Sequence, residues 1–173
     1  MDFKFKNRFI IFLAFLVSAI QIILMKEIFQ MGIASLFRDE NSSFSFIFPT
    51  FSYYFEPLPN SSLPVLVLMY FTPYIYLILS IEVVSLILKK RPLVEWRFFI
   101  VIFILVQLGY LLIHIFYSAV ILILRPAIEN DWIALSLYQN FDQTERFVFA
   151  FGVIFLFVFY LNMSTKRIMK YFS

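Results

Sequence analysis

Cysteine is absent from this chain of 173 residues, and histidine occurs once. Without thiols the chain forms no disulfides, no thiolate nucleophiles and no zinc–thiolate sites. A single histidine also excludes paired-histidine metal sites and bis-histidine haem ligation within one chain. We therefore expect no metal, no cofactor and no enzymatic activity.

Glycine is scarce as well, at three residues, and no glycine-rich phosphate loop is present. Close helix pairing through small residues has little support, because Gly109 alone does not make such a motif. Charged residues form only 14% of the chain, whereas soluble proteins contain roughly a quarter. No aspartate lies within an apolar run, which excludes an intramembrane aspartyl dyad in this chain.

Long apolar runs dominate the sequence instead. Hydrophobic residues make up 62% of the chain, and 25 residues are phenylalanine. A helix crosses the bilayer with roughly 20 such residues, and continuous runs favour helices over barrel strands. The sequence predicts an all-α polytopic membrane protein, a single domain with four transmembrane helices. The predicted spans are residues 9–25, or as far as 37, then 63–88, 98–124 and 147–163.

Basic residues indicate the orientation of these spans. Ten of the 14 lysines and arginines fall in residues 1–8, 89–97 and 164–173, and four fall in the other connections. The excess of lysine and arginine marks the cytoplasmic side, so an N-in/C-in topology is expected. The net charge is +3, and the basic residues that produce it flank the apolar runs. The expected partner is therefore the lipid bilayer and not nucleic acid.

The connections on the other side are less regular. Residues 38–62 form an outer loop rich in aromatics, either a belt at the lipid headgroups or a docking surface folded over the bundle. A short interfacial helix is expected at Asp131, capped by that residue and anchored by Trp132. Asp142 and Glu145 have the spacing of a capping box that would start the last helix.

The third span carries most of the intramembrane polar residues. At about 100° per residue they fall within an arc of about 100°, so this face should point toward the bundle, a cavity or a partner. The candidate site residues of this stripe are Gln107, Tyr110, His114, Tyr117, Ser118 and Arg125.

Glu82 is the only acid well inside a span, and it is a further candidate site residue. A carboxyl group there either pairs with a cation, for which Arg97 and Lys89 are candidates, or takes up a proton. His114 either makes a structural hydrogen bond or has a functional role in the polar stripe. The helical rise separates these two residues, so direct contact between them is not expected.

The composition, the predicted spans and the intramembrane polar residues are compatible with two alternative functions. The first is a non-catalytic integral membrane subunit, or assembly partner, of a larger membrane complex, with other subunits or a homo-oligomer as partners. The alternative is a small transporter, or an ion- or proton-conducting component, that uses Glu82 and the His114 stripe. The composition, rich in Phe, Ile and Lys, favours a bacterial cytoplasmic membrane, with an organelle membrane as the other option.

Overall fold

Six α-helices form the body of the part of the chain that the structure describes. The computed structural model describes residues 3–37, 43–47, 50–54, 62–90, 94–124 and 131–170. The helices are α1 (Phe3–Ile20), α2 (Lys26–Phe37), α3 (Leu63–Lys89), α4 (Val94–Leu124), α5 (Asp131–Tyr138) and α6 (Gln143–Met169).

Three of these helices, α3, α4 and α6, are long and apolar enough to cross a membrane. They contain the second, third and fourth predicted spans, and they exceed them by one residue in α3, by four in α4 and by ten in α6. The apolar runs alone therefore locate these helices, because lipid leaves the backbone no other way to satisfy its hydrogen bonds.

The first apolar run follows a different course. Its apolar part, Arg8–Ile23, is shorter than the other three spans. A five-residue π-helix, Gln21–Met25, connects α1 to α2 without a break, so the helical course continues from Phe3 to Phe37. The prediction that this first run crosses the membrane stays a prediction.

The core of the molecule lies around α4. This helix packs against α1, α3, α5 and α6, while α2 packs against α3. Leu77 and Ile81 of α3 meet Ile104 and Leu111 of α4 in one cluster, and all four are at most 1% exposed. Burial on this scale places α4 at the centre, where its polar stripe can meet neighbouring helices.

A two-stranded hairpin lies in the segment for which the sequence predicts an aromatic loop. Strand β1 (Ser43–Ile47) pairs antiparallel with β2 (Thr50–Tyr54), with Phe44 opposite Tyr53. The alternation Ser-Phe-Ser-Phe-Ile has the period of a strand, which explains this local hairpin beside an otherwise helical fold. The two interpretations of residues 38–62, an aromatic belt or a docking surface, concern a segment that lies largely outside the described residues.

The short helix α5 forms where it is expected but does not anchor through Trp132. That indole is completely buried, with its ring 5.7 Å from Phe71 and 5.6 Å from Phe149. The prediction of an exposed interfacial anchor is therefore wrong, because α3 and α6 offer aromatic surfaces that cover the indole. Asp131 is the first residue of α5 and lies in its first turn.

The turn from α5 to α6 sets where the last helix begins. Asn140 has a φ of 54°, and the Phe141 amide donates to the carbonyl of Ser136 at 2.8 Å. This is the left-handed stop that ends many helices. Two residues later the predicted capping box is confirmed, because Asp142 and Glu145 each accept a hydrogen bond from the other's amide at 2.7 and 2.8 Å.

Candidate functional site

Among the residues that the structure describes, polar side chains inside the helices form three clusters, each of which includes α3. The first, the His114 cluster, consists of Tyr74, His114 and Ser118. The Tyr74 hydroxyl is hydrogen-bonded to His114 Nδ1 at 2.8 Å and to Ser118 Oγ at 3.3 Å. Tyr74 and Ser118 are buried, and the His114 ring stands edge-on to Tyr74 with centroids 5.3 Å apart. The cluster therefore joins α3 to α4.

Helical spacing brings this cluster together. His114 and Ser118 are four residues apart on α4, as are Tyr110 and His114, and such residues share one face. The Tyr110 ring lies 5.5 Å from the His114 ring. In this arrangement His114 is held by tyrosines on two helices, which corresponds to the structural reading of this residue.

The second group, the Gln107 cluster, consists of Gln21, Tyr76, Ser80 and Gln107. Gln107 Nε2 donates to Gln21 Oε1 at 2.9 Å, and Gln21 Nε2 donates to Tyr76 Oη at 2.9 Å and to Ser80 Oγ at 2.6 Å. Gln21 is the first residue of the π-helix, a feature often found at functional positions. One side chain thus connects α3 and α4 to the first helical segment.

Two buried oxygens near this level have no hydrogen-bond partner among the described residues. They are Oε1 of Gln107 and Oγ of Ser18, and both residues are completely buried. A buried polar atom without a partner costs free energy. The Gln107 cluster is therefore only partly satisfied by the protein.

The third group, the Glu82 cluster, consists of Glu82, Tyr160 and Arg167. The Arg167 guanidinium donates through Nη1 to Glu82 Oε2 and through Nη2 to Oε1, the latter at 3.1 Å. The Tyr160 hydroxyl donates to Glu82 Oε1 at 2.9 Å. Both members of the ion pair are about one third exposed. This bidentate pair links α3 to the far end of α6.

The predicted partners of Glu82 were the wrong ones. Lys89 is the last residue of α3 and Arg97 lies in the first turn of α4, whereas the residue that pairs with Glu82 is Arg167 of α6. Lys89 lies on the same helix as Glu82, about 10 Å further along it, and is exposed. As expected, Glu82 and His114 are in different clusters: Tyr74 and Glu82 are separated by about 12 Å of rise along α3.

The stripe on α4 is buried at its centre and exposed at one edge. Gln107 and Ser118 are completely buried, Tyr110 and His114 are half-buried, and Tyr117 is 57% exposed. Tyr117 therefore does not point into the bundle, which was one of the three surroundings expected for this face. It lies at the edge of the roughly 100° arc, where the face packed against other helices ends. Arg125 is outside the described residues.

Sequence reasoning missed several members of these clusters. Gln21 is a lone amide in the first apolar run. It lies three residues after Ser18, so the two polar side chains share one helix face, and this shared face could have predicted a contact with a neighbouring helix. The others are Tyr76, Ser80, Tyr160 and Arg167.

Each of the three clusters ties helices together through side-chain hydrogen bonds. Within the described residues no group of three or more metal-ligating side chains comes together. Comparison with protein-family models, with curated proteins and with solved structures finds no match to this chain.

Proposed function

We propose that this chain is a four-span integral membrane protein that serves as a non-catalytic subunit, or assembly partner, of a larger membrane complex. The three helices α3, α4 and α6 support embedding in a membrane. In this proposal the helical course from Phe3 to Phe37 supplies the remaining span. Both tails and the turn at Lys90 then lie in the cytoplasm, where the basic residues are concentrated.

The observation that carries the proposal is the contrast between the hydrogen-bonded acid and histidine inside the molecule and the exposed apolar surface of α6. The acid and the histidine of the spans are both hydrogen-bonded to side chains of this chain. Helix α6, by contrast, packs mainly on α4 and has little of its spanning surface buried. Its apolar surface is thus available for contact with a partner.

Phenylalanines follow one another along this outward surface of α6. Phe147, Phe151, Phe155 and Phe159 recur every four residues, and Phe155 is the most exposed at 71%. Residues at this spacing form a continuous row on a helix. Aromatic side chains are enriched at protein interfaces, so a helix of a partner subunit is the occupant that we propose for this row.

Site-specific photo-crosslinking tests the proposal. A photoreactive phenylalanine analogue at position 155 should give a defined protein adduct in native membranes, because that side chain faces outward. The matched control is position 157, which is 4% exposed and should react only within the chain. Adducts with lipid alone at 155, together with a solitary protomer in native mass spectrometry, would contradict the proposal.

The alternative function, transport or proton conduction through Glu82 and the His114 stripe, has weaker support. Each hydrogen bond described above for the three clusters joins members of one cluster. The charge of Glu82 is already balanced by Arg167. A conducting route would have to break that ion pair in each cycle.

A further inference from the structure

A cavity lies beside the start of α6, at the opposite end of α4 from the Glu82 cluster. Its volume is about 320 Å³. Asp142, Gln143 and Phe147 are exposed at its mouth, while Leu122 is completely buried at its back. The walls are Leu122, Ile123, Phe141, Asp142, Gln143, Arg146 and Phe147.

Arg146 supplies a cation to this cavity. Its side chain is half-buried, and its Nε is buried without a hydrogen-bond partner among the described residues. A guanidinium binds phosphate oxygens through parallel N–H groups. A buried N–H that lacks an acceptor makes an anionic oxygen the ligand atom that this wall would take.

Asp142, the N-cap of α6, supplies an anion to the same cavity wall. One of its carboxylate oxygens, Oδ1, accepts a hydrogen bond from the amide of Glu145 in the capping box. The second oxygen is not part of that box and can accept a hydrogen bond from a ligand. The cavity is therefore lined by both a cation and an anion, together with apolar side chains.

We propose that this cavity binds one phospholipid with an ethanolamine headgroup. The phosphodiester lies against Arg146, the primary ammonium donates to Asp142, and the first part of an acyl chain packs on Leu122 and Phe147. An ethylene linker holds the two headgroup charges close together, which matches neighbouring side chains of opposite sign. The location also fits, because α4 and α6 both reach the end of their apolar stretch here. This inference needs a membrane around α4 and α6 but no partner protein.

Native mass spectrometry of the full chain tests it. The delipidated protein in mild detergent receives an equimolar mixture of phosphatidylethanolamine, phosphatidylcholine and phosphatidylglycerol with identical acyl chains. Wild type should retain phosphatidylethanolamine roughly fivefold over the other two, since each of them lacks one of the paired contacts. Equal retention of all three lipids, or retention of none, would overturn the proposal.

Two variants separate the two contacts. Arg146→Gln should lose retention of all three lipids. Asp142→Asn keeps an N-cap acceptor and hence the start of α6, so it should retain lipid but bind ethanolamine and choline headgroups equally. The control, Arg8→Gln, removes an exposed arginine at the other end of the molecule and should behave as wild type. An unchanged preference in Asp142→Asn would overturn the headgroup assignment even if Arg146→Gln failed to fold.

A soluble competitor identifies the source of the phosphate. Millimolar inorganic phosphate should leave the bound lipid in place, because it offers neither the ammonium nor the acyl chain. Displacement of the lipid by phosphate would show a site for the free anion and would contradict the proposal.

Discussion

At the scale of single residues, Gln21 and Gln107 are hydrogen-bonded to each other but differ in their other hydrogen-bond partners. Gln21 has two further partners on α3, Tyr76 and Ser80. Gln107 is completely buried, and its own oxygen is unpaired among the described residues. Removal of one amide or the other therefore leaves different polar groups without a hydrogen-bond partner.

We predict that Gln21→Leu destabilises the protein more than Gln107→Leu does. Gln21→Leu strands the buried amide of Gln107, whereas Gln107→Leu removes an already unsatisfied oxygen and leaves Gln21 with its partners on α3. The difference in unfolding free energy should be about 1 kcal/mol. Denaturation in detergent measures it, with Asn162→Leu as the exposed control. The opposite order would show that Gln107 is satisfied by another group.

At the scale of elements, the start of α6 depends on a single capping box. Asp142 and Glu145 exchange hydrogen bonds with each other's amides. This motif was predictable from the sequence because all its partners lie within four consecutive residues. The same holds for the three long helices, whose apolar composition is local information.

Asp142→Ala should loosen the first turn of α6 at a cost of about 1 kcal/mol, because the Glu145 amide loses its acceptor. Hydrogen exchange at the amides of residues 143–146 should then become faster. Asp142→Asn should exchange nearly as wild type, and Thr144→Ala is a control on an exposed residue outside the box. Equal exchange in the alanine variant and wild type would mean that packing on α4 alone fixes this turn.

At the scale of the whole molecule, the absence of cysteine makes the proposed topology directly testable by cysteine labelling. Single cysteines can be placed at Asn7, Ser62, Lys90 and Thr144 without removing native thiols. With four spans and both tails inside, a membrane-impermeant maleimide should label Ser62→Cys and Thr144→Cys from outside. Asn7→Cys and Lys90→Cys should react only after the membrane is opened. Outside labelling of both Asn7→Cys and Ser62→Cys would show that the first run does not cross.

The sequence by itself determined which segments are helical, where α6 begins and that its last three apolar runs are long enough to span a membrane. These properties depend on composition and on residues a few positions apart. Only the tertiary structure decided that Glu82 pairs with Arg167, that Gln21 joins three segments and that Trp132 is buried under Phe71 and Phe149. Such contacts depend on how each helix is rotated and shifted against its neighbours, and a rotation is a property of the whole packed core.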